Sequence, residues 1–170
     1  MEEEYLDIVD SEDRVIKSEL RSNLPKKMPE GSYLRYVNIF ILNSKNELLI
    51  PKRSMNRRQF PGAFDFSCAE HVKSGESYLN AALRGLKEEL GLENIELKEI
   101  GKITPKEEMS GFAMTYECIY NGLIDNYDKD GIDKLIWVKL EKVNEMLEKE
   151  KSKFKGDYVQ NFTWYLKRRK

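Results

Sequence analysis

The segment over residues 77–90 constrains the fold of this chain more than any other part of the sequence. Its apolar residues recur at spacings of three and four, which places them on one face of an α-helix: Leu79, Ala82, Leu83, Leu86 and Leu90. Ser77 can cap the first turn, and Gly91 can end the helix in a left-handed conformation. The pattern therefore predicts an amphipathic helix whose apolar face packs on the rest of the chain.

Runs of β-branched and aromatic residues on both sides of this helix predict strands. One hairpin is predicted within residues 5–16, and a second joins residues 33–42 to residues 47–52 through a polar turn. Further strands are predicted over residues 64–68, 95–103, 113–120 and 135–139, and two more helices over residues 140–151 and 157–168. This mixture favours an α/β fold in which helices pack on the faces of a mixed sheet.

Length and charge limit the number of domains and the kind of partner. The 170 residues suit one ordinary domain, so we predict a single domain over 1–170, with a hairpin and lead-in over 1–32 and helices over 140–170. Lysine and arginine number 29 and aspartate and glutamate 30, so no net field favours a nucleic acid polymer or an anionic membrane. Any anionic partner is therefore expected to bind through local charges.

The cysteines and the apolar runs indicate a soluble protein in a reducing setting. Cys68 and Cys118 match no metal-ligand or redox spacing, and the first residues lack the basic-then-apolar pattern of a secretory signal. The longest apolar runs are as short as strands, far below the roughly 20 residues that cross a bilayer. We expect a cytoplasmic location, and the sequence leaves the oligomeric state open.

The polar face of the predicted helix carries the residues that suggest chemistry. Arg84, Glu88 and Glu89 lie opposite the leucines, and Gly85 lies three and four residues before the glutamates. Neighbouring carboxylates suit a hard ion such as Mg²⁺ or Mn²⁺. The same pattern also fits a solvated face with one Arg84 to Glu88 pair, which contributes about 0.2–0.5 kcal/mol. The helix pattern alone leaves both interpretations open.

The residues around the helix resemble the 23-residue signature of the Nudix hydrolase superfamily. That signature reads glycine, five residues, glutamate, seven residues, Arg-Glu, an aliphatic residue, any residue, Glu-Glu, any residue, glycine and an aliphatic residue. Within residues 70–92 the matching positions are Glu76, Arg84, Leu86, Glu88, Glu89, Gly91 and Leu92. Residues 52–53, 60–67 and 136–141 also look like the branch related to isopentenyl-diphosphate isomerase. The resemblance implies a Nudix-type α/β/α sandwich with a mixed β-sheet, in which the signature lines a Mg²⁺ or Mn²⁺ site.

Three positions depart from the family pattern. Glu70 replaces the opening glycine, Gly85 replaces the glutamate after the arginine, and Gly131 stands where an acidic residue is often found. In Nudix enzymes the position of Gly85 is commonly a metal ligand or the base for the attacking water. Glu70 could fill the volume that a glutamate at this position would use, or it could point to solvent. The sequence does not decide between these alternatives.

The resemblance leads to a set of candidate site residues. Glu70, Glu88 and Glu89 are the predicted metal ligands, and together with Arg84 they are the predicted catalytic residues. A further ligand could come from another acidic residue, the candidates being Glu76, Asp130 and Asp133. His71 is expected to orient the signature loop. The predicted substrate contacts lie before and within the aromatic run and are Arg53, Arg58 and Phe60, since arginine donors suit phosphate oxygens.

The predicted function is metal-dependent cleavage of a phosphoanhydride bond in a small nucleoside-diphosphate-linked or related diphosphate compound, with Gly85 expected to weaken the activity. One alternative is a catalytically weak binding module of the same fold, which Gly85 and Gly131 favour. Isomerisation of isopentenyl diphosphate is a further alternative. It is disfavoured because Ala69 stands at the position of the cysteine that those enzymes need, and because the chain has one histidine.

Overall fold

The computed structural model describes residues 3–105 and 111–169, and a mixed sheet lies at its centre. The strands are β1 (Tyr5–Val9), β2 (Val15–Leu20), β3 (Leu34–Leu42), β4 (Glu47–Arg53), β5 (Cys68–His71), β6 (Lys98–Ile103), β7 (Gly111–Ile119) and β8 (Ile132–Lys139). The helices are α1 (Tyr78–Leu90), α2 (Leu140–Glu150) and α3 (Tyr158–Arg168). Within the described residues the central sheet runs in the order β6-β7-β3-β4-β8, β5 pairs with β3, and β1 and β2 form a separate hairpin.

Strand β3 is the centre of the sheet. It pairs in parallel with β7 along its whole length and antiparallel with β5 and, at its end, with β4. Most of its side chains are buried, as expected for a strand that is covered on both faces. Its long apolar run, which the sequence predicts as a strand, therefore reflects burial from two sides.

The two faces of the sheet are covered by different helices. Val37 and Ile39 share one core with Leu86 of α1, whereas Phe40 packs on the other face with residues of α3. The Phe40 ring stacks on Tyr165 with 4.0 Å between the ring centroids. Helix, mixed sheet and helix thus form three layers, which confirms the predicted α/β/α sandwich. No described helix is long and apolar enough to span a membrane.

The strand predicted over residues 64–68 is wrong, because the ladder begins at Cys68 and continues to His71. The preceding residues run between β3 and β4, which pair with each other only at Leu42 and Leu48. The hydroxyl of Ser67 accepts a hydrogen bond from the N–H of Ile41 at 3.0 Å and donates to the carbonyl oxygen of Leu49 at 2.6 Å. A side chain therefore replaces part of the backbone ladder at this point.

The N-terminal hairpin supports the loop that precedes α1. The N–H of Ser74 donates to the carbonyl oxygen of Tyr5 at 2.8 Å, and the N–H of Gly75 donates to the Asp7 carboxylate at 3.1 Å. At its turn, Asp13 accepts hydrogen bonds from Tyr78 and from two cations, Arg35 and Lys102. The hairpin is therefore fixed to the sheet and to the start of α1.

Candidate functional site

Helix α1 begins and ends as its sequence predicts. The Ser77 hydroxyl accepts a hydrogen bond from the N–H of Asn80 at 3.1 Å, which satisfies one free donor of the first turn. At the other end Gly91 has φ of 65°, and its N–H donates to the carbonyl oxygen of Lys87 at 3.0 Å. These caps fix Glu88 and Glu89 in the last turn of a well-defined helix.

Arg84 is the centre of the site. Its guanidinium donates to both carboxylate oxygens of Glu76, at 2.9 and 3.1 Å, and to the carbonyl oxygen of His71 at 2.8 Å. It also contacts Glu70 at 3.3 Å and Glu88 at 3.1 Å. The sequence predicts that Arg84 pairs with Glu76 or Glu88, and the structure has both pairs together with contacts to Glu70 and the His71 carbonyl oxygen. Arg84 therefore fixes the signature loop to the helix.

Glu70 lies beside Gly85, on the face of β5 that meets α1. A Cβ atom added to Gly85 would lie 2.5 Å from the Cγ of Glu70 and 3.0 Å from the Sγ of Cys68. The Glu70 side chain is only 15% exposed. Of the two alternatives that the sequence leaves open, the structure therefore has Glu70 in the volume that a side chain at position 85 would occupy.

Two of the predicted ligands are carboxylates that resist ionisation where they lie. Burial raises the pKa of Glu70, although Arg84 opposes this rise. Burial and the negative charges of Glu70 and Asp65 raise the pKa of Glu89 to about 8, while the Cys68 thiol donates a hydrogen bond to it. Clustered oxygen ligands with this mutual repulsion fit a hard divalent cation, which would remove the repulsion.

The carboxylates are not arranged around a common point. Across residues 3–105 and 111–169, no three acidic, histidine or cysteine side chains are grouped closely enough to hold an ion in their present positions. Arg84 bonds to Glu70 and Glu88, and the Glu88 side chain is 52% exposed. Metal binding by these residues therefore requires that Glu70 and Glu88 turn partly away from Arg84.

Arg53 holds a loop in the structure. Its guanidinium donates to the Asp65 carboxylate at 2.6 Å and to the carbonyl oxygens of Gln59, at 2.9 Å, and Phe60, at 3.2 Å. These contacts give no support to its predicted role as a substrate contact, because most of its donors are already used. Arg58 is exposed, and Phe60 is 46% exposed on the same loop.

Two charged residues that the sequence does not single out, Asp65 and Lys155, lie next to the cluster. Asp65 is buried between Arg53 and Lys155, whose Nζ lies 3.6 Å from its carboxylate. An aspartate inside an apolar aromatic run could have marked a buried charge. Lys155 carried no such signal, because its position depends on the pairing of its backbone with Phe64.

The carboxylate of Asp128 lies beside Gly131, the position where the family often has an acidic residue. The Asp128 carboxylate accepts hydrogen bonds from the N–H groups of Asp130 and Gly131, both at 3.1 Å, and pairs with Arg57 at 3.1 Å. A side chain at Gly131 would collide with Arg57 and Asp128. The backbone N–H of Asp128 donates to the carbonyl oxygen of Glu89 at 2.8 Å, so this loop packs against the end of α1.

The other candidate ligands lie away from this cluster or have other partners. Asp130 and Asp133 are exposed, and the Asp133 carboxylate lies 3.7 Å from the Nζ of Lys52. Glu76 is bound by Arg84. The His71 ring packs against that of Tyr36 at an interplanar angle of 53°, and burial lowers the pKa of His71 to about 3, so it is neutral near pH 7. These contacts make Glu70, Glu88 and Glu89 the better candidates for binding a cation.

Replacement of Arg84 with alanine is expected to lower the free energy of unfolding by about 3–5 kcal/mol, because Glu76 and Glu70 lose their partner in a partly buried site. This corresponds to a fall of roughly 6–20 °C in melting temperature. Thermal unfolding followed by circular dichroism measures the change. Lys142→Ala is the control, since Lys142 forms an exposed pair with Glu145. Equal melting temperatures for Arg84→Ala and the wild type would contradict the central role of Arg84.

Comparison with known proteins gives a consistent result. The NUDIX domain model matches residues 32–162. An uncharacterized Nudix hydrolase of Nostoc sp. is 42% identical over 118 residues, which cover 67% of this chain and 68% of that protein. The isopentenyl-diphosphate Delta-isomerase of Serratia proteamaculans is 33% identical over 125 residues, with 72% of this chain and 68% of that protein covered.

Solved structures show the same fold. A crystal structure of a Deinococcus radiodurans protein has a TM-score of 0.82 at 30% identity and covers 94% of this chain and 98% of that one. The Nudix domain of Shewanella oneidensis NrtR, solved with ADP-ribose, has a TM-score of 0.62 at 15% identity and covers 86% of this chain and 94% of that one. At 15% identity, the similarity to the Shewanella oneidensis domain shows a shared fold and nothing more.

Proposed function

Because this chain belongs to the Nudix hydrolase family, we propose that it is a Mg²⁺- or Mn²⁺-dependent hydrolase of a phosphoanhydride bond. Its substrate is a small diphosphate compound, in the first place one linked to a nucleoside. The observation that carries this proposal is the position of Glu70, whose side chain fills the space beside Gly85. Glu70 of β5 would thereby supply the carboxylate that the family pattern has at position 85 and that this chain lacks there.

Each residue of the cluster has a role in this proposal. Glu70, Glu88 and Glu89 hold the ion, and Arg84 orients Glu70 and Glu88 through its hydrogen bonds. When bound, a divalent ion neutralises charge on the diphosphate and lowers the pKa of a water molecule. Because the pKa of Glu89 is raised to about 8, binding of the ion to this carboxylate would release a proton near neutral pH.

A catalytically weak binding module remains the second candidate. It is favoured by the contacts of Arg84 with Glu70 and Glu88, since a protein that only binds a ligand has no need to release them. Isomerase activity has less support, although one of the relatives has that name. Ala69 stands where the isomerase cysteine is expected, and burial raises the pKa of the nearby Cys68 thiol well above its usual value.

Turnover of a substrate panel tests the proposal. Nucleoside di- and triphosphates, sugar nucleotides and dinucleotides are incubated with the wild type and Mg²⁺ or Mn²⁺, and the products are separated by chromatography. We expect cleavage of at least one compound, and loss of that activity when the ions are removed with a chelator, because the carboxylates alone cannot neutralise the diphosphate. No turnover of any compound, with binding of one of them, would favour the binding module instead.

A further inference from the structure

Arg53, one of the two arginines that the sequence predicts for phosphate binding, has other partners in the structure. It is bonded to Asp65 and to loop carbonyls, and the neighbouring Arg57 pairs with Asp128. Lys155 is a cation near the acidic cluster formed by Glu70, Glu88 and Glu89. Its contact with Asp65 is looser than those of the two arginines. Its backbone pairs with Phe64, and the segment that follows Phe64 leads into Cys68 and Glu70, both of which contact the space beside Gly85. Lys155 therefore lies beside the segment that carries Glu70 into the site.

The backbone fixes the position of Lys155. The N–H of Phe64 donates to the carbonyl oxygen of Lys153 at 2.8 Å, and the N–H of Lys155 donates to the carbonyl oxygen of Phe64 at 2.9 Å. The ammonium group lies 3.6 Å from the Asp65 carboxylate, which is longer than a normal hydrogen bond. Asp65 is already bonded to Arg53 at 2.6 Å, so Lys155 can turn to another anion without leaving Asp65 unpaired.

A cavity of about 400 Å³ opens beside Lys155. It is lined by residues of the segment that connects α2 to α3 and by the first turn of α3: Lys151, Ser152, Phe154, Lys155, Gly156 and Val159. The Phe60 ring lies above Gly156, with one ring atom 3.3 Å from the position that a Cβ atom would take there. The lining combines two lysines and a serine with apolar side chains, and apolar walls with a few polar groups are typical of sites for small molecules.

We propose that Lys155 binds a phosphate of the substrate and that this cavity receives the nucleoside of a nucleoside diphosphate compound. This inference rests on the function proposed above. A lysine ammonium is a compact charge that suits a phosphate oxygen. The exposed ring of Phe60 offers a surface on which a base can stack. The phosphates then lie between Lys155 and the carboxylate cluster, and the base lies on the far side of Lys155.

Calorimetric titration with α,β-methylene-ADP and with methylenediphosphonate, both in the presence of Mn²⁺, tests the two parts of this proposal. Lys155→Met is expected to raise the Kd of both probes roughly 10- to 100-fold, because a hydrogen bond to a charged group is lost. Val159→Trp fills the cavity and is expected to weaken only α,β-methylene-ADP. Lys153→Met is the matched control, since Lys153 pairs with Glu150 and is 58% exposed. Its Kd values should equal those of the wild type.

The possible failures are distinguishable. If the wild type binds the probes and Lys155→Met binds them equally well, Lys155 has no substrate contact, although the proposed function stands. A lower melting temperature with unchanged Kd would identify Lys155 as a structural partner of Asp65. If Val159→Trp weakens neither probe, the cavity does not receive the nucleoside. If the wild type binds neither probe, the proposed function fails together with this inference. Lys155→Arg should retain most of the affinity.

Discussion

Replacing Glu70 with glycine is expected to lower turnover of the cleaved substrate by about 10²- to 10⁴-fold, because a site that loses the ion also loses the several kcal/mol of charge stabilisation that the ion supplies. Gly85→Glu is expected to lower both the melting temperature and the activity. Its Cβ atom would lie 2.5 Å from the Cγ of Glu70, and two carboxylates would share one partly buried volume. The double variant, Glu70→Gly with Gly85→Glu, restores the usual family arrangement and should recover both properties. Turnover and thermal unfolding of all four proteins form a double-mutant cycle.

A further variant separates the volume of the Glu70 side chain from its charge. Glu70→Gln keeps the shape that fills the space beside Gly85, so its melting temperature should stay close to that of the wild type while its activity falls. If Gly85→Glu alone raises turnover while Glu70 is present, the carboxylate has not been relocated, and the wild-type site simply lacks one group. Additive effects of Glu70→Gly and Gly85→Glu would also contradict the idea that one carboxylate takes the place of the other.

Sequence patterns predicted the fold best where local and tertiary signals agree. The helix over residues 77–90 has an apolar face, a serine cap and a glycine stop, and α1 forms with those caps. The apolar run in β3 is buried on both sides, so its pattern is strong. Residues 64–67 have a strand-like alternation, but hydrogen bonds from Ser67 to β3 and β4 replace the ladder there. That outcome depends on how two other strands separate, which a local pattern does not contain.

In the candidate site, too, contacts within one helix could be predicted from the sequence, whereas contacts between different elements could not. Contacts within the signature follow from helical spacing, so the pairing of Arg84 with Glu88 could be predicted. The packing of Glu70 against Gly85 could only be suggested as an alternative, because it depends on how β5 lies on α1. The sequence favours Arg53 as a phosphate contact, but in the fold its guanidinium is bonded to Asp65. Lys155 is far away in sequence, and no spacing rule connects it to the cluster.

The binding of metal ions by Glu89 gives a prediction that depends on pH. Its pKa is raised to about 8 by burial and by the charges of Glu70 and Asp65, so below pH 8 a proton competes with the ion for this carboxylate. The apparent affinity of the wild type for Mn²⁺ should therefore increase as the pH rises towards 8, by up to about tenfold per pH unit. Above that value the affinity should level off.

Glu89→Gln is expected to weaken Mn²⁺ binding and lower turnover by about 10²- to 10⁴-fold, because the amide has the same size but no charge, and the site loses charge stabilisation when it loses the ion. The affinity that remains should show a weaker dependence on pH than that of the wild type. Calorimetric titrations with Mn²⁺ at pH 6, 7 and 8 measure both effects. Glu88→Gln is the comparison, since Glu88 lies one residue away, is half exposed and forms an ion pair with Arg84. Equal Mn²⁺ affinity and an equal pH profile for Glu89→Gln and the wild type would exclude Glu89 as a ligand.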